Sequence, residues 1–396
     1  MQVPDFRPLT DFATSDEPDL FAKTDGFAVY VDQLRRAGVY QVLHRLELTG
    51  PLDHRIRVRD PFGAGERELV CFDSNSYLGL HLHPRVVGAM HAAIDEVGAG
   101  TPSAQVLGGY NRHLRHLEER LAALHGRQDT LVFPSGYQAN IGILTGLLRR
   151  GDLVLVDAFS HASLQDGCHY SGAKVARYAH GDLDHAEALL SELRPHAHSA
   201  LVVTDGLFSM HGDLADVPGL LELARRHDAR LMVDDAHGLG VLGASGRGIE
   251  EHWDCEGEVD LMMGTFSKAL GLAGGYLSAE QRIIDYLRYF ARAGLFTASL
   301  PGPVCAALAE SLAVIADEPA LRHDLHANTD VLAHGFREAG LTVPDSPTPI
   351  VPVLVEDEGK LPGLARDLFE HRIKAGIVQY PAVPKGAAML RFTVNA

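Results

Sequence analysis

The sequence predicts an α/β fold with a mostly parallel central sheet flanked by helices. From residue 130 onwards, short apolar runs alternate with stretches of helical length, which is the pattern of parallel strands joined by helices. Polar residues directly follow several of these runs, at the strand ends where open parallel sheets bind ligands. After the last run, Lys268 lies between hydroxyl residues and glycines. We therefore expect a ligand site at one edge of the sheet, with Lys268 in it.

Length and charge narrow the functional class. At 396 residues the chain is long enough for a large core and two domains. Hydrophobic residues make up 46% and charged residues 22%, as in an ordinary globular protein. The formal net charge of -17 argues against a general attraction to nucleic acid or to anionic membrane surfaces. A small-molecule enzyme suits this composition better than a nucleic-acid or membrane protein.

The cysteines and the apolar runs bear on location. The chain has 4 cysteines, which are far apart and form no Cys-x-x-Cys pair, so we predict neither a metal site nor a disulfide framework. No stretch reaches the roughly 20 apolar residues of a membrane helix. Charged residues interrupt the N-terminal stretch where the apolar core of a signal peptide would lie. These features predict a cytoplasmic location without membrane insertion.

The N-terminal part carries little chemical signature. Residues 27–42 have a weak helical pattern, and residues 55–70 alternate around a Pro-Phe-Gly turn, which predicts a hairpin. Residues 71–80 read as a strand that runs into a polar turn. Within that turn, Asn75 is either a turn residue or an amide presented to a ligand.

The following elements are predicted from hydrophobic periodicity and from start and stop signals. Pro84 opens a helix that extends to residue 98, and a glycine-rich loop follows over residues 98–109. Leucines at spacings of three and four then mark an amphipathic helix that Gly126 ends. Strands are predicted at 130–133, 153–156, 200–204, 231–233, 261–263, 343–355 and 390–394, and helices at 137–148, 161–171, 183–193, 215–227, 306–336 and 362–374.

Four polar clusters follow predicted strands of the central region, and each has an ordinary structural interpretation when taken alone. A pair of aspartates after a strand is often a helix cap, a lone histidine is more often structural than catalytic, and a lysine in a loop is usually a surface residue. Their shared position at strand ends favours a common site. The clusters are Ser135-Gly136-Tyr137, Ser160-His161-Ala162-Ser163, Phe208-Ser209-Met210 and Asp234-Asp235-Ala236-His237-Gly238.

Together these motifs resemble those of the alpha-oxoamine synthases, over about residues 20–396. This group of pyridoxal-phosphate enzymes of fold type I includes amino-oxononanoate synthase, glycine C-acetyltransferase, serine palmitoyltransferase and aminolevulinate synthase. The motifs that carry the resemblance stand in order as Asn75-x-Tyr77-Leu78-Gly79, Ser135-Gly136-Tyr137-x-Ala139-Asn140, Ser160-His161-Ala162-Ser163, Phe208-Ser209-Met210-x-Gly212-Asp213, Asp234-Asp235-Ala236-His237-Gly238, Thr265-Phe266-Ser267-Lys268 and Met389-Leu390-Arg391-Phe392.

The resemblance implies a fold-type-I architecture with three parts. A large domain over residues 71–300 would contain the mostly parallel sheet and bind the cofactor. A smaller α+β domain would occupy residues 301–396, and residues 1–70 would form an N-terminal segment that packs with this small domain.

The resemblance also implies roles in binding pyridoxal 5'-phosphate. Lys268 is similar to the lysine that forms a Schiff base with the cofactor and moves the α-proton. Asp234 is similar to the aspartate that pairs with the pyridine nitrogen, and His161 to the histidine that stacks on the ring. His237, with Ser209 beside it, resembles the group that hydrogen-bonds the phenolic oxygen.

Phosphate and substrate contacts are implied in the same way. Ser135, Gly136 and Tyr137 open a helix whose free amides suit a phosphate. The hydroxyl of Thr265 would add a contact, and so would that of Thr297 from the partner subunit of a homodimer whose active sites lie at the interface. Asn75 and Arg391 would hold the substrate, and no metal is implied.

The implied activity is that of a pyridoxal-phosphate-dependent acyltransferase. It would catalyse a decarboxylative Claisen-type condensation of a small amino acid (glycine, alanine or serine) with an acyl thioester to give an alpha-amino ketone. The acyl group would come from acyl-CoA or acyl-carrier protein. Another fold-type-I activity, such as an aminotransferase, stays open, and so does a non-catalytic partner subunit. Such subunits typically lack the lysine, which here is Lys268.

Two departures from the family pattern bear on the substrate. The glycine-rich loop over residues 100–109 contains Pro102 and lacks the arginine that relatives commonly have there. His211 stands where relatives commonly have aspartate. Residues 379–386 are more similar to glycine C-acetyltransferase and to bacterial serine palmitoyltransferase than to amino-oxononanoate synthase. These features predict a specialised donor or amino acid.

Overall fold

The computed structural model describes residues 9–13, 18–344, 348–355 and 357–396. Its strands, numbered in chain order, are β1 Arg55–Arg59, β2 Glu66–Phe72, β3 Asp129–Phe133, β4 Leu153–Asp157, β5 Lys174–Tyr178, β6 Ala200–Asp205, β7 Arg230–Asp234, β8 Leu261–Thr265, β9 Gly275–Ala279, β10 Ile350–Leu354, β11 Ile373–Val378 and β12 Met389–Thr393.

The α-helices are α1 Thr10–Ala13, α2 Asp25–Arg36, α3 Val39–His44, α4 Pro84–Val97, α5 Arg112–Leu124, α6 Gly136–Leu147, α7 Ala162–Tyr170, α8 Leu183–Leu193, α9 Val217–Arg226, α10 Ile249–His252, α11 Gln281–Phe290, α12 Arg292–Leu295, α13 Gly302–Asp317, α14 Ala320–Glu338 and α15 Leu361–Glu370. Short 3₁₀ helices lie at Ala22–Thr24, Leu80–Leu82, Gln105–Leu107, Arg194–His196 and Glu358–Lys360.

The chain divides into two compact units. The first contains the described residues of Met1–Tyr77, Met210–Gly212 and Leu325–Asn395, and the second contains Leu78–Ser209, Asp213–Asp324 and Ala396. The predicted domains 1–70, 71–300 and 301–396 stay a prediction. The compact units differ from them at residues 71–77, 210–212, 301–324 and 396. Residues 71–77 go with the first unit because β2 continues to Phe72. Residues 301–324 go with the second unit, where α13 packs against α4 and α5.

The second unit is built on a seven-stranded sheet with the order β3-β9-β8-β7-β6-β4-β5. All of its strands are parallel except β9, which runs antiparallel to both β3 and β8. The mostly parallel sheet that the sequence predicted is confirmed. Strands β5 and β9 were not predicted, because β5 has polar and half-buried residues and β9 is short and begins with glycine.

Burial on both faces explains why the central strands are so apolar. Every residue of β4, β6 and β8 is buried, which is typical of a parallel sheet covered by helices on both sides. Side chains from α6, α7 and α11 join the sheet in one apolar cluster that includes Ile143, Leu164 and Leu287. This rigid layer holds the carboxyl ends of the strands in place.

The first unit contains a five-stranded sheet with the order β1-β2-β11-β12-β10. The predicted hairpin over residues 55–70 is confirmed as the antiparallel pair β1–β2. The predicted helix over 362–374 is too long, because α15 ends at Glu370 and β11 follows from Ile373. Arg372, between them, has a positive φ of 64° that ends the helix. The predicted strand 343–355 includes residues 345–347, which lie outside the described residues, as does residue 356 just after it.

Two other predicted helices are interrupted. The weak helix over residues 27–42 is divided into α2 and α3 at Gly38, whose φ of 72° lies in the left-handed region. The helix over 306–336 is divided into α13 and α14 around Pro319, which cannot continue a helix from the preceding turn. Among the described helices, we find none with the length and apolar composition that a membrane span needs.

Candidate active site

Three neighbouring strands of the second unit end in polar residues around one cavity. Asp205 ends β6, Asp234 ends β7 and Thr265 ends β8. The cavity has a volume of about 240 Å³. It is lined by Ser135, Gly136, Tyr137, Asn140, His161, Ser163, Asp205, Asp234, Ala236, His237, Met263, Thr265, Ser267 and Lys268. Eight residues that the sequence analysis assigned to a cofactor site are therefore brought together: Ser135, Gly136, Tyr137, His161, Asp234, His237, Thr265 and Lys268.

Asp234 is buried and held by two hydrogen bonds. Its Oδ1 accepts from the backbone N–H of Ala236 at 3.0 Å, and its Oδ2 accepts from Nδ2 of Asn140 at 2.7 Å. Asn140 lies in α6, so this contact joins the end of β7 to the helix beside it. With both oxygens held, the carboxylate is fixed in one orientation at the cavity wall.

The same asparagine begins a hydrogen-bonded chain to a histidine. Nδ2 of Asn140 also lies 2.9 Å from Oγ of Ser163, and that hydroxyl lies 2.7 Å from Nδ1 of His161. Oδ1 of Asn140 is buried and has no hydrogen-bond partner among the described residues. A buried acceptor of this kind at a cavity wall favours a site that binds a polar ligand.

His161 is positioned from both sides of its backbone. It is the N-cap of α7, and its own N–H donates to Oδ2 of Asp205 at 2.9 Å. Burial lowers the pKa of its imidazole; Asp234 opposes that shift, and Lys268 adds to it. A lowered pKa favours the neutral ring at pH 7, which suits a flat aromatic surface against a ligand.

Asp205 and Asp234 are directly paired across β6 and β7. Burial and the neighbouring Asp234 raise the pKa of Asp205 well above its ordinary value. Two carboxylates this close in a buried site disfavour a second negative charge. Asp205 is therefore expected to hold a proton more readily than an ordinary aspartate.

The N-terminus of α6 forms another wall of the cavity. Ser135 is its N-cap, and Oγ accepts from the N–H of Gln138 at 3.2 Å. A Cβ on Gly136 would lie 2.9 Å from Cβ of Thr265, and one on Gly275 would lie 2.6 Å from Cα of Gly136. These glycines let the helix start approach β8 and β9 closely, so its free N–H groups face the cavity as an anion site would.

Tyr137 is the second residue of α6 and is half-exposed at the cavity. Its hydroxyl donates to Oδ2 of Asp166 on α7, and this hydrogen bond raises the pKa of the phenol to about 12. The phenol therefore stays protonated at neutral pH. Its contact with Asp166 links the start of α6 to the middle of α7.

Lys268 lies in the tight turn after β8. Oγ1 of Thr265 donates to the carbonyl of Gly274 at 2.8 Å, and the carbonyl of Lys268 accepts from the N–H of Gly271 at 2.9 Å. Gly271 has a φ of 76°, and a Cβ there would lie 2.8 Å from the backbone nitrogen of His81. The glycine-rich sequence after Lys268 is thus required by the turn that places the lysine at the cavity.

The other predicted site residues lie elsewhere. Ser209 and Thr297 belong to the second unit but are not among the residues that line the cavity. Asn75 and Arg391 belong to the first unit, where Oδ1 of Asn75 accepts from Nη2 of Arg391 at 3.1 Å. Nη1 of Arg391 donates to Oγ1 of Thr393 at 3.0 Å, so the buried guanidinium is held in one orientation.

Residue-level reasoning missed Asn140, Ser163 and Asp205 as site residues. Asn140 offered a signal, because it is the polar residue in the apolar stretch Ala139 to Leu144 of a helix that packs on the sheet. Ser163 and Asp205 offered weaker signals, since Ser163 lies two residues after His161 and Asp205 directly follows the predicted strand 200–204. Their contribution depends on contacts between elements distant in sequence.

These residues fit pyridoxal 5'-phosphate. Lys268 supplies a primary amine, Asp234 a fixed carboxylate, His161 a ring, and the start of α6 free amides for a phosphate. The close approach of Gly136 to Thr265 leaves no room for a Cβ there, as expected of a phosphate cradle. In the part of the chain that the structure describes, no group of three or more His, Cys, Asp or Glu side chains is arranged to bind a metal ion.

Comparison with known proteins identifies relatives over nearly the whole chain. The family model for aminotransferase class I and II matches residues 67–396. An 8-amino-7-oxononanoate synthase of Exiguobacterium sibiricum is 41% identical over 366 residues, 92% of this chain and 92% of that protein. The 4-hydroxy-2,2'-bipyrrole-5-methanol synthase PigH of a Serratia species is 37% identical over 395 residues, and the chain spans only 60% of its length.

Solved structures are also similar. The serine palmitoyltransferase of Sphingomonas wittichii superposes with a TM-score of 0.89 at 31% identity, over 95% of this chain and 93% of that one. A structure of a serine palmitoyltransferase with bound pyridoxal phosphate gives a TM-score of 0.89 at 29% identity, over 95% of this chain and 94% of that one.

Proposed function

The chain belongs to the aminotransferase class I and II family and, within it, to the alpha-oxoamine synthases; from this premise we propose that it condenses a small amino acid with an acyl thioester. The reaction releases carbon dioxide and forms an alpha-amino ketone, and it depends on pyridoxal phosphate. The observation that carries the proposal is the cavity that Lys268, Asp234 and His161 line together, beside the start of α6.

When bound, pyridoxal phosphate supplies an electron sink for the negative charge that develops on the α-carbon of the amino acid. Asp234, fixed by Asn140 and by the N–H of Ala236, holds a proton at the pyridine nitrogen. The amides at the start of α6 and the hydroxyl of Thr265 bind the phosphate, where the helix dipole favours negative charge. His237, with Ser209, orients the phenolic oxygen.

Lys268 is proposed to move the α-proton. A lysine amine at the turn after β8 can accept a proton from the α-carbon and later return one, provided that it is neutral when it acts. Residues 231–234 of β7 and all of β8 are buried, and Lys268 in the turn after β8 is half-buried. The neutral ring of His161 forms the opposite, flat side of the site.

Asn75 and Arg391 are proposed to bind the substrate carboxylate. The guanidinium is buried and is oriented by the neutral oxygens of Asn75 and Thr393. A pre-oriented fork of this kind can donate two parallel hydrogen bonds to one carboxylate. This selects a free amino acid over an amine without a carboxyl group.

The proposed partners are a second copy of the chain, an amino acid (glycine, alanine or serine) and an acyl thioester of CoA or of a carrier protein. Support for a homodimer comes from the second unit, where Leu107 is 81% exposed, Phe296 70% and Tyr289 75%. Val106, Tyr289 and Leu295, which include or adjoin these residues, line one open pocket. Large apolar side chains that lie together at such exposure are typical of a surface that another protein covers. Thr297, beside Phe296, is the residue proposed to reach the partner's site. The cytoplasmic location stays a prediction from the sequence.

The test is a substrate screen on the purified full chain with added pyridoxal phosphate. Glycine, alanine and serine are each combined with short, medium and long acyl thioesters, bound to CoA or to a carrier protein. We expect one pair to release carbon dioxide and to change the visible absorbance of the bound cofactor. Lys268→Ala serves as the control and should lose both signals.

Other outcomes would replace the proposal. Transfer of the amino group to a keto acid without carbon dioxide would identify an aminotransferase. If the visible spectrum of the wild-type chain showed no bound cofactor, the chain would be identified as a non-catalytic subunit.

A further inference from the structure

His180 lies between two carboxylates outside the cavity. Its Nδ1 is 2.9 Å from Oδ1 of Asp157, and its Nε2 is 2.7 Å from Oδ2 of Asp213. The ring stacks on Phe159 with centroids 4.4 Å apart and meets the edge of Phe208 at 4.5 Å. Both nitrogens of the ring are therefore bonded and the ring packs against two aromatic side chains, with the four partner residues coming from two segments of the second unit.

The contacts determine the protonation state of the ring. An ionised carboxylate only accepts hydrogen bonds, so both ring nitrogens must carry a proton to donate to Asp157 and Asp213. The ring is then an imidazolium between two negative charges. Burial opposes this charge, but the hydrogen bonds with Asp157 and Asp213 outweigh burial and raise the pKa of His180 to about 9. Asp157 and Asp213 are the charged groups that raise this pKa.

Asp157, the first of the two carboxylates that contact His180, belongs to the segment that leads to His161. Asp157 ends β4, and its Oδ1 also accepts from the N–H of Phe159 at 2.8 Å, while Oδ2 accepts from the N–H of Gly181 at 3.0 Å. The first bond shapes the turn that leads from β4 into α7, whose N-cap is His161, and the second ties the loop after β5, which carries His180, to that turn. The carboxylate of Asp157 is almost fully buried, so water cannot replace His180 as its hydrogen-bond partner.

Asp213, the second carboxylate that contacts His180, belongs to the segment that carries Ser209. The chain leaves β6 and turns back on itself, with Leu207 bridged to Leu214 and the N–H of Phe208 bonded to the carbonyl of Asp213 at 2.9 Å. Asp213 therefore closes the turn in which Ser209 follows Phe208. The side chain of Asp213 contacts His180, and His180 in turn contacts Asp157 in the turn after β4.

We propose that His180 is a positioning residue that holds the Ser209 turn against the His161 segment, so that both keep the geometry needed to bind the cofactor. His180 is not among the residues that line the cavity. This inference rests on the proposed function, because it assigns to the two segments their roles in binding pyridoxal phosphate. It adds a residue that the family motifs discussed above do not include.

The experiment is a double-mutant cycle with His180→Gln, Asp213→Asn and the double variant, each as the full chain. The dissociation constant of pyridoxal phosphate is measured by its visible absorbance at pH 7.5. We expect each single variant to weaken binding roughly tenfold, the scale of one lost hydrogen bond to a charged group. The double variant should be no weaker than either single variant, because the two residues act through one contact.

A pH series separates positioning from a general loss of stability. At each pH, the dissociation constant of pyridoxal phosphate in His180→Gln is divided by that in the wild type. This ratio should fall towards one as pH rises through about 9, because His180 in the wild type also loses its charge there. Additive effects in the cycle, or a ratio that does not change with pH, would overturn the proposal.

His227→Gln is the matched control. His227 contacts a single carboxylate, Glu187, at 2.7 Å, and it lies just before β7 begins, at the opposite edge of the sheet from the cavity. This variant should leave the constant unchanged. Hydrogen exchange of the amides in residues 206–209 gives a readout without the cofactor, and it should rise in His180→Gln and in Asp213→Asn but not in His227→Gln. If His180→Gln shows faster exchange but the wild-type chain binds no pyridoxal phosphate, the positioning role of His180 is supported and the proposed function is refuted. If the wild-type chain binds pyridoxal phosphate but His180→Gln shows unchanged exchange, the positioning role is refuted and the proposed function stands.

Discussion

Asp234 illustrates how a single residue acquires its function from its neighbours. The sequence places it at the end of β7, but its orientation depends on Asn140, which lies 94 residues earlier in the chain. The adjacent Asp205 shares the same buried environment, and its pKa is raised by burial and by Asp234. Of these two acids, which look alike in sequence, Asp205 is thus expected to hold a proton more readily than an ordinary aspartate.

This difference can be measured with isosteric amides. Asp234→Asn removes the charge that holds a proton on the cofactor, and we expect condensation activity to fall about 100-fold or more. Asn can still accept from Ala236, so cofactor binding should be weakened less than activity. Activity is measured by release of carbon dioxide at saturating cofactor.

Asp205→Asn is the matched control for this prediction. Because the raised pKa of Asp205 already favours its neutral form, the amide should change activity far less than Asp234→Asn does. Equal losses in the two variants would contradict the assignment of the charge to Asp234.

At the scale of elements, the start of α6 shows why glycine is needed beside β8. A side chain at Gly136 would overlap Thr265, and one at Gly275 would overlap the backbone of Gly136. The helix N-terminus can therefore approach the strand ends only without these side chains. The anion site depends on packing between elements as much as on the helix itself.

Gly136→Ala tests this packing. The added Cβ would lie 2.9 Å from Cβ and 3.0 Å from Oγ1 of Thr265, so either the helix start or the threonine must shift. We expect the dissociation constant of pyridoxal phosphate to rise by at least about tenfold, and stability to fall by about 1–3 kcal/mol, the usual cost of overpacking. Equilibrium binding and chemical unfolding measure the two effects.

Gly335→Ala controls for the change of glycine to alanine in a helix. Gly335 lies inside α14, and a Cβ there would meet nothing within 4 Å. This variant should gain roughly 0.5–1 kcal/mol in stability from helix propensity and leave cofactor binding unchanged. If Gly136→Ala behaved in the same way, the proposed cradle would be wrong.

For the whole molecule, one buried histidine should contribute to acid sensitivity. His125 is buried, and its Nε2 lies 2.8 Å from the hydroxyl of Tyr276. Burial, with Arg127 and Arg247, lowers its pKa to about 3. Between its ordinary pKa of 6.5 and about 3, the unfolded chain binds a proton that the folded chain does not. Its contribution is therefore present above pH 6.5 and is lost as pH falls through this window.

His125→Gln should flatten that dependence. Between pH 6 and pH 5 the slope of unfolding free energy against pH should fall by up to about 1.4 kcal/mol per pH unit, the value for one proton. Urea unfolding at each pH measures it. His323→Gln, at a histidine whose side chain is 83% exposed, should keep the wild-type slope. An unchanged slope in His125→Gln would show that its proton affinity is not perturbed by folding.

Assembly is the other property of the whole molecule that can be tested. Leu107→Glu with Phe296→Glu places charges on the exposed apolar surface of the second unit, and burying them would cost several kcal/mol. We expect light scattering to show a monomer with weakened cofactor binding. Val331→Glu, at an apolar side chain that is 74% exposed on α14, should remain dimeric. A wild-type chain that is monomeric at micromolar concentration would refute the proposed dimer.

The sequence by itself determined the fold class and the order of the site motifs. Hydrophobic periodicity is a local property, so the buried runs of β4, β6 and β8 and the leucines of α5 could be recognised without knowing their partners. Prediction from hydrophobic periodicity failed for β5, which is not apolar along its length, and for β11, which closely follows a helix.

The tertiary structure alone decided which polar residues meet. The bond between Asn140 and Asp234 and the contact of His180 with Asp157 and Asp213 join residues far apart in the chain. No spacing in the sequence encodes such pairs, because they depend on the order and register of the strands. Strand order is set by how the whole sheet buries its apolar faces, and only that packing brings the polar strand ends to one cavity.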